Sequence, residues 1–275
     1  MSLRASEYLR PSTLAEALSL LSRASPPSQP LAGGTYLALS SGVVGALVDL
    51  RGLSLEGMDA QAGQWRMGAM ATLADLAGHP GLPEALRGAA RHEAPGNLQG
   101  MATLGGTVAV GASGPLLCAL LASGARVEVQ PGDQQIPIED LVLGKREKLG
   151  RGRLIIRVSF SEGRRLGLAE ISRTPEDRPL ACLSVGARWD QGRIREVRVA
   201  CGAYGQPLAL IPEVAEALEG QGLPMTAEGV QQAAVHAEVS WVEDIRGSSE
   251  YRASMVPVLL KRAMDQLSGG GTVHP

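Results

Sequence analysis

Leu31-Ala32-Gly33-Gly34-Thr35 and, about seventy residues on, Thr103-Leu104-Gly105-Gly106-Thr107 are the two stretches on which the reading of this chain turns. A glycine pair lets the backbone take positive φ and lets a ligand reach the main chain without meeting a Cβ. Successive N–H groups in such a turn form a concave, partly positive nest for an anion such as a pyrophosphate. Two nests can clamp one diphosphate from both sides. The pattern therefore predicts a dinucleotide site, with both loops facing one cleft. The plain alternative is two ordinary tight turns in a chain that carries 35 glycines.

The composition narrows the classes around that site. With 275 residues, 44% hydrophobic and 20% charged, the chain has material for a large core and two or three lobes. A net charge of −2, both signs scattered, leaves no basic footprint for nucleic acid or an anionic membrane. No apolar run approaches the roughly 20 residues of a membrane span. Met1 to Arg10 lacks the apolar stretch of a signal peptide, so the expected compartment is the cytoplasm. Cys118, Cys182 and Cys201 stand apart with no CxxC spacing. No zinc or iron–sulfur site built by this chain alone is expected, and the three read as small buried hydrophobes. His79 before Pro80, and His92-Glu93, lack a partner histidine at metal spacing and read as surface or core residues. One Phe and three Trp leave few aromatic platforms for a base or flavin ring. There is no Ser-His-Asp set, acid/base carboxylate pair or P-loop.

Outward from the first loop, Thr13 to Ser22 has a capping-box start in Thr13 and Glu16, with Leu14, Ala17, Leu18 and Leu21 at helical spacing. Gln29 to Ala32 and Leu47 to Leu50 read as short strands, with a helical turn over Tyr36 to Ser40. Around the second loop, Trp65 to Met70 predicts a strand and Thr72 the start of a helix. A further helix covers Leu86 to Arg91, and Pro95-Gly96-Asn97 a turn. Pro115 to Ser123 predicts an apolar helix, Ala125 to Gln130 and Leu154 to Phe160 strands, and Gly144 to Arg153 a solvated connection. From about Gly167 the pattern changes. Ala181 to Trp189 and Ile194 to Cys201 predict a hairpin turning at Asp190-Gln191-Gly192-Arg193. Helices follow at Pro212 to Glu219 and Thr226 to Glu238, then a last helix capped by Ser248, which Pro257 is expected to kink or divide. The Gly-rich end, Ser268 to Pro275, reads as frayed.

These stretches together resemble the FAD-binding, or medium, subunit of the molybdenum hydroxylases, the family of carbon monoxide dehydrogenase and xanthine dehydrogenase. The matches run along nearly the whole chain in order: RPSTLAEALSLL, LAGGTYL, MGAMATLADLA, LQGMATLGGTVA, RGRLIIRVSF and DIRGSSEYRASMVPVLLKRAM. The resemblance implies an α+β, PCMH-type FAD-binding fold of two α+β lobes, over 1–52 and 53–164. A C-terminal lobe over 165–275 then carries a small antiparallel sheet and helices. It implies FAD as cofactor, contacted by Ala32, Gly33, Gly34, Thr35, Tyr36 and Leu37 and by Thr103, Gly105, Gly106 and Thr107. It implies partners too: a large subunit with the molybdenum cofactor and a small 2Fe-2S subunit, whose electrons the flavin passes to NAD, a quinone or oxygen.

The chain also departs from the family pattern. Tyr36 stands where Asp is usual, Thr107 where Asn is usual, and Gln99-Gly100 where Arg-Asn is usual. The family's Asp before the next helix falls near Pro115. The backbone-shaping glycines are kept while polar side chains that hold the cofactor are not, so two readings stand. One is a working flavin subunit; the other is a flavin-free structural subunit of the same complex. A stand-alone flavoenzyme of this fold class is a third, against which the RGSSEYR match argues. Tyr36 can stack on a ring or fill an empty cleft. Thr35 and Thr107 can donate to phosphate or cap turns. Arg246, Glu250, Tyr251 and Arg252 can form a packing network or a subunit contact.

Overall fold

The computed structural model describes residues 3–39, 42–144, 149–174 and 177–268. Ser40 of the predicted turn, 145–148 of the solvated connection and 269–275 of the Gly-rich end lie outside them. The chain forms two compact units. One gathers residues 1–75, 96–111 and 126–159, the other 76–95, 112–125 and 160–275. Both cut across the contiguous segments read from the sequence.

In the first unit, strand β1 (Leu3–Leu9) leads into helix α1 (Leu14–Ser22), strand β2 (Ser28–Leu31) and strand β3 (Gly42–Asp49). The three strands pair in parallel in the order β1-β3-β2. Thr13 caps α1 by accepting from Glu16 N. The reciprocal bond of the predicted capping box is shifted, since Glu16 Oε2 accepts from Ser12 N at 2.9 Å. Ala17 and Leu21 of α1 pack with Val48, Leu50, Leu154 and Ile156. A second sheet follows from β4 (Met58–Gln61) and β5 (Gln64–Gly68). Next along the chain come α2 (Leu73–Gly78), α3 (Glu84–Glu93), α4 (Gly96–Gln99), α5 (Leu104–Val110) and α6 (Pro115–Ser123), of which α3 and α6 belong to the other unit. Strands β6 (Arg126–Gln130) and β7 (Gln134–Pro137), helix α7 (Ile138–Val142) and strand β8 (Leu154–Ser161) complete the region. The second sheet has the order β4-β5-β8-β6-β7.

The other unit is built on an antiparallel sheet of β9 (Arg164–Ile171), β10 (Ala181–Asp190), β11 (Arg193–Gly202) and β12 (Ala209–Leu210), in the order β12-β11-β10-β9. Gln191 and Gly192 both have positive φ, the geometry of a tight two-residue hairpin turn. Side chains of β10 alternate between two helical layers. Cys182 and Gly186 face α6, where a methyl on Gly186 would overlap the Ala122 carbonyl. Leu183, Val185 and Ala187 face the opposite core. That core is shared with α8 (Pro212–Leu218), α9 (Ala227–Ala234) and α10 (Ser249–Ser268). All nine residues of α6 are buried. Pro257 does not divide α10, which runs unbroken for 20 residues. The carbonyl it deprives of a partner belongs to exposed Ala253, where water can satisfy it. The mixed helices and sheets are those of the expected α+β, PCMH-type class.

Candidate functional site

The first glycine loop leaves β2 at Leu31, which pairs with Asp49 at the end of β3. It thus lies outside the carboxyl ends of parallel strands, where ligands of open parallel sheets collect. Gly34 has φ +71°, so a side chain there is strained. The turn closes with Ala38 N donating to the Gly34 carbonyl at 2.9 Å. The N–H groups of Gly33, Gly34 and Thr35 donate to nothing among the described residues, and the Thr35 hydroxyl likewise has no partner there. Three successive free donors on a half-buried loop are the donor set of an anion nest.

The second stretch is not a loop. Thr103 is the N-cap of α5, and Gly105 and Gly106 lie in its first turn. Its amides are all committed. Leu104 N donates to Ala71 O at 2.9 Å and Gly105 N to Ala69 O at 2.8 Å. Gly106 N donates to Thr103 Oγ1 at 3.2 Å and Thr107 N to Thr103 O at 2.9 Å. The Thr107 hydroxyl donates back to Thr103 O at 3.1 Å. The glycines answer to packing. A Cβ on Gly105 would sit 2.7 Å from the Ala69 Cβ, and one on Gly106 would sit 2.9 Å from Thr103 Oγ1. Gly33 does the same for the first loop, because a methyl there would overlap the Met101 carbonyl. The two stretches are therefore neighbours within one unit, and only the first presents free amides.

Large hydrophobic side chains of the loop's own turn, and of the residue whose carbonyl abuts Gly33, are exposed. Tyr36 is 54% exposed, Leu39 77% and Met101 53%. Asp49, fully buried, is held by the Arg51 guanidinium at 2.7 Å and by the Tyr8 hydroxyl. The Arg51 contact first, then Tyr8, keeps its carboxyl well below the usual carboxylate range. The network fixes the end of β3 beside Leu31. Sequence reasoning missed it because Tyr8, Asp49 and Arg51 meet only after β1 and β3 pair.

The remaining candidates lie in the other unit. His92 pairs with Glu170. Gly114, the N-cap of α6, has no side chain to cap with; the Glu93 carboxylate occupies that space and accepts from Leu116 N at 2.9 Å. Burial pushes the Glu93 carboxyl up to about 7, against the opposing pull of Leu116 N and Arg178. The three cysteines are buried, with Cys118 and Cys182 sulfurs 3.3 Å apart, and burial pushes the Cys201 thiol up to about 12. Among the described residues no group of three or more His, Cys, Asp or Glu is placed to hold a metal. The RGSSEYR group forms a packing network. Buried Arg252 donates to the carbonyls of Leu180, Val242 and Gly247 and to Asp244, while Arg246 pairs with Asp177.

Comparison with known proteins agrees with these findings. Residues 4–160 match the family described as FAD binding domain in molybdopterin dehydrogenase. Residues 168–267 match the CO dehydrogenase flavoprotein C-terminal domain. The chain belongs to the FAD-binding, medium-subunit family of the molybdenum hydroxylases. It is 31% identical to the nicotine 6-hydroxylase medium subunit of Paenarthrobacter nicotinovorans, over 96% of this chain and 98% of that one. Its fold is that of carbon monoxide dehydrogenase from Hydrogenophaga pseudoflava, with TM-score 0.85, 23% identity, and coverage of 99% of this chain and 100% of that one. It is also that of quinoline 2-oxidoreductase from Pseudomonas putida 86, with TM-score 0.83, 22% identity, and coverage of 99% and 100%. The free amides of Gly33 to Thr35 suit a phosphate-bearing cofactor such as FAD. Among the described residues no single helix is long and apolar enough to cross a membrane.

Proposed function

We propose that this chain is the electron-transfer subunit of a cytoplasmic molybdenum hydroxylase, holding FAD between an iron–sulfur subunit and a final acceptor. The observation that carries this is the row of free N–H groups at Gly33, Gly34 and Thr35. These donors match the diphosphate of the cofactor, and the Thr35 hydroxyl adds a fourth donor. Bound FAD supplies the capacity to take up and hand on electrons. The residues of this chain bind it, orient it and surround it with apolar surface. Among the described residues no group of three or more His, Cys, Asp or Glu is placed to hold a cluster, so on this reading the electrons come from another chain. The name of the nicotine-hydroxylating relative, a medium subunit, supports a large and a small partner.

A flavin-free structural role is the second reading. It is favoured by α5, whose first-turn amides are already used within the chain. Calorimetric titration of FAD into the purified chain separates the two. The flavin reading expects one site per chain. No binding at about 100 μM FAD, roughly 5.5 kcal/mol on the standard scale, favours the structural role.

A further inference from the structure

We infer that a row of arginines across the end of the antiparallel sheet, Arg164, Arg188 and Arg195, is a docking surface for an acidic segment of another protein chain. It stands with or without bound flavin. Arg188 of β10 lies directly opposite Arg164 of β9 on one side and Arg195 of β11 on the other. Directly opposed side chains share a face of the sheet, with Cβ atoms about 5 Å apart, so like charges placed there repel. The chain as a whole carries −2, yet segments 162–165 and 188–198 hold six arginines against three acids, Glu162, Asp190 and Glu196.

Three of the six are committed elsewhere. Arg165 lies over the Trp189 ring and donates to Leu267 O, Arg193 donates to Gly220 O, and Arg198 Nε donates to Leu121 O near the end of α6. One carboxylate serves the row. Glu196 Oε2 pairs with Arg164 at 3.0 Å and Oε1 with Arg188 at 3.3 Å. Glu196 does this from a bulge in β11 at φ +51°, a left-handed conformation that favours glycine. Nearby Glu219 uses both oxygens to accept from the Glu196 and Val197 amides. Burial pushes the Arg164 guanidinium below its ordinary value, helped by the charges of Arg198 and Arg188 and opposed by Glu196. Arg188 is half exposed, and exposed Arg195 makes no hydrogen bond or ion pair among the described residues. A second carboxylate at Arg188 and Arg195 would relieve the repulsion as Glu196 does beside them. Guanidinium forks match carboxylates through paired bonds, and arginine is enriched where proteins meet. A partner segment carrying several Asp or Glu side chains is the chemistry that fits.

The test titrates an acetylated hexaglutamate peptide and inorganic sulfate into the full chain by calorimetry. The proteins are wild type, Arg188→Gln, Arg195→Gln and, to control for net charge, Arg4→Gln at an exposed position of β1. The peptide is expected to bind the wild type, and more weakly as salt rises. Its affinity should fall about tenfold, roughly 1.4 kcal/mol, in Arg188→Gln and in Arg195→Gln, and hold in Arg4→Gln. Thermal unfolding of Arg195→Gln should come at the wild-type temperature or above it, because a repelling charge is removed. Absence of peptide binding, or equal binding by all four proteins, overturns the inference. Sulfate binding as tight as that of the peptide also overturns it, since the row would then be a small-anion site. So does a lowered unfolding temperature in Arg195→Gln, which would make that arginine a structural one.

Discussion

At the scale of single residues, the four motif glycines do four different things. Gly34 is needed for its positive φ, Gly33 for the Met101 carbonyl, Gly105 for Ala69, and Gly106 for its own N-cap Thr103. The sequence places these glycines but does not say what each must avoid, because Met101 and Ala69 arrive from distant parts of the chain. Gly34→Ala should cost about 1–2 kcal/mol of stability for a left-handed alanine. Gly33→Ala should cost more than that, or prevent folding, since a carbonyl and not a flexible side chain must yield; urea denaturation of the two variants checks the order. Thr35→Ala should weaken FAD binding by about 1 kcal/mol, one neutral hydrogen bond, read by the same calorimetry as the wild type.

Glu93 gives a pH signature. Its folded-state value of about 7 lies above the ordinary glutamate value of 4.5, so the native protein holds this proton more tightly than the unfolded chain. That contribution to stability is complete below about pH 4.5 and lost as pH rises through about 7. Glu93→Gln should flatten that slope between about pH 5 and pH 8, measured by thermal unfolding across the range. An unchanged slope would remove Glu93 as its source. The sequence showed only His92-Glu93 at the end of a helix; that the carboxylate replaces the missing cap at Gly114 depends on how α3 packs with α6.

At the scale of elements, legibility followed hydrophobic pattern. Pro115 to Ser123 was readable to the residue because it is apolar throughout and ends at Gly124 with φ +66°. Strand β1 was invisible because none of its described side chains is buried; it is defined by backbone pairing with β3. The second motif reads as a loop because of its glycines, yet Thr103 turns it into a capped helix. The apolar pattern of α10 was legible, but not the use of its Arg252. That side chain closes three carbonyls and an ion pair with Asp244, whose carboxyl it lowers to about 2. Arg252→Met leaves those carbonyls and Asp244 without it and should destabilise the protein by about 3–5 kcal/mol, the cost of breaking a buried charged pair. Arg252→Lys should recover only part, because an ammonium cannot reproduce the planar fork. Guanidinium unfolding of both variants gives the comparison.

At the scale of the whole molecule, six ordered motifs carried the family, and the fold followed from it. The composition of the two units did not. Helices α3 and α6, drawn from the middle of the sequence, belong with the C-terminal antiparallel sheet, where the small residues Gly186 and Gly202 let α6 approach. No periodicity in α6 could announce which sheet it would cover, since every face of it is buried. The central claim is that FAD is held by the backbone of the first loop and not by that of the second motif. Amide-resolved NMR of the chain during FAD titration tests it most directly. The N–H resonances of Gly33, Gly34 and Thr35 should move with saturating shifts, while those of Leu104 to Thr107, already bonded within the chain, stay near their starting positions. Saturating shifts confined to Leu104 to Thr107, with the first loop unmoved, would contradict it.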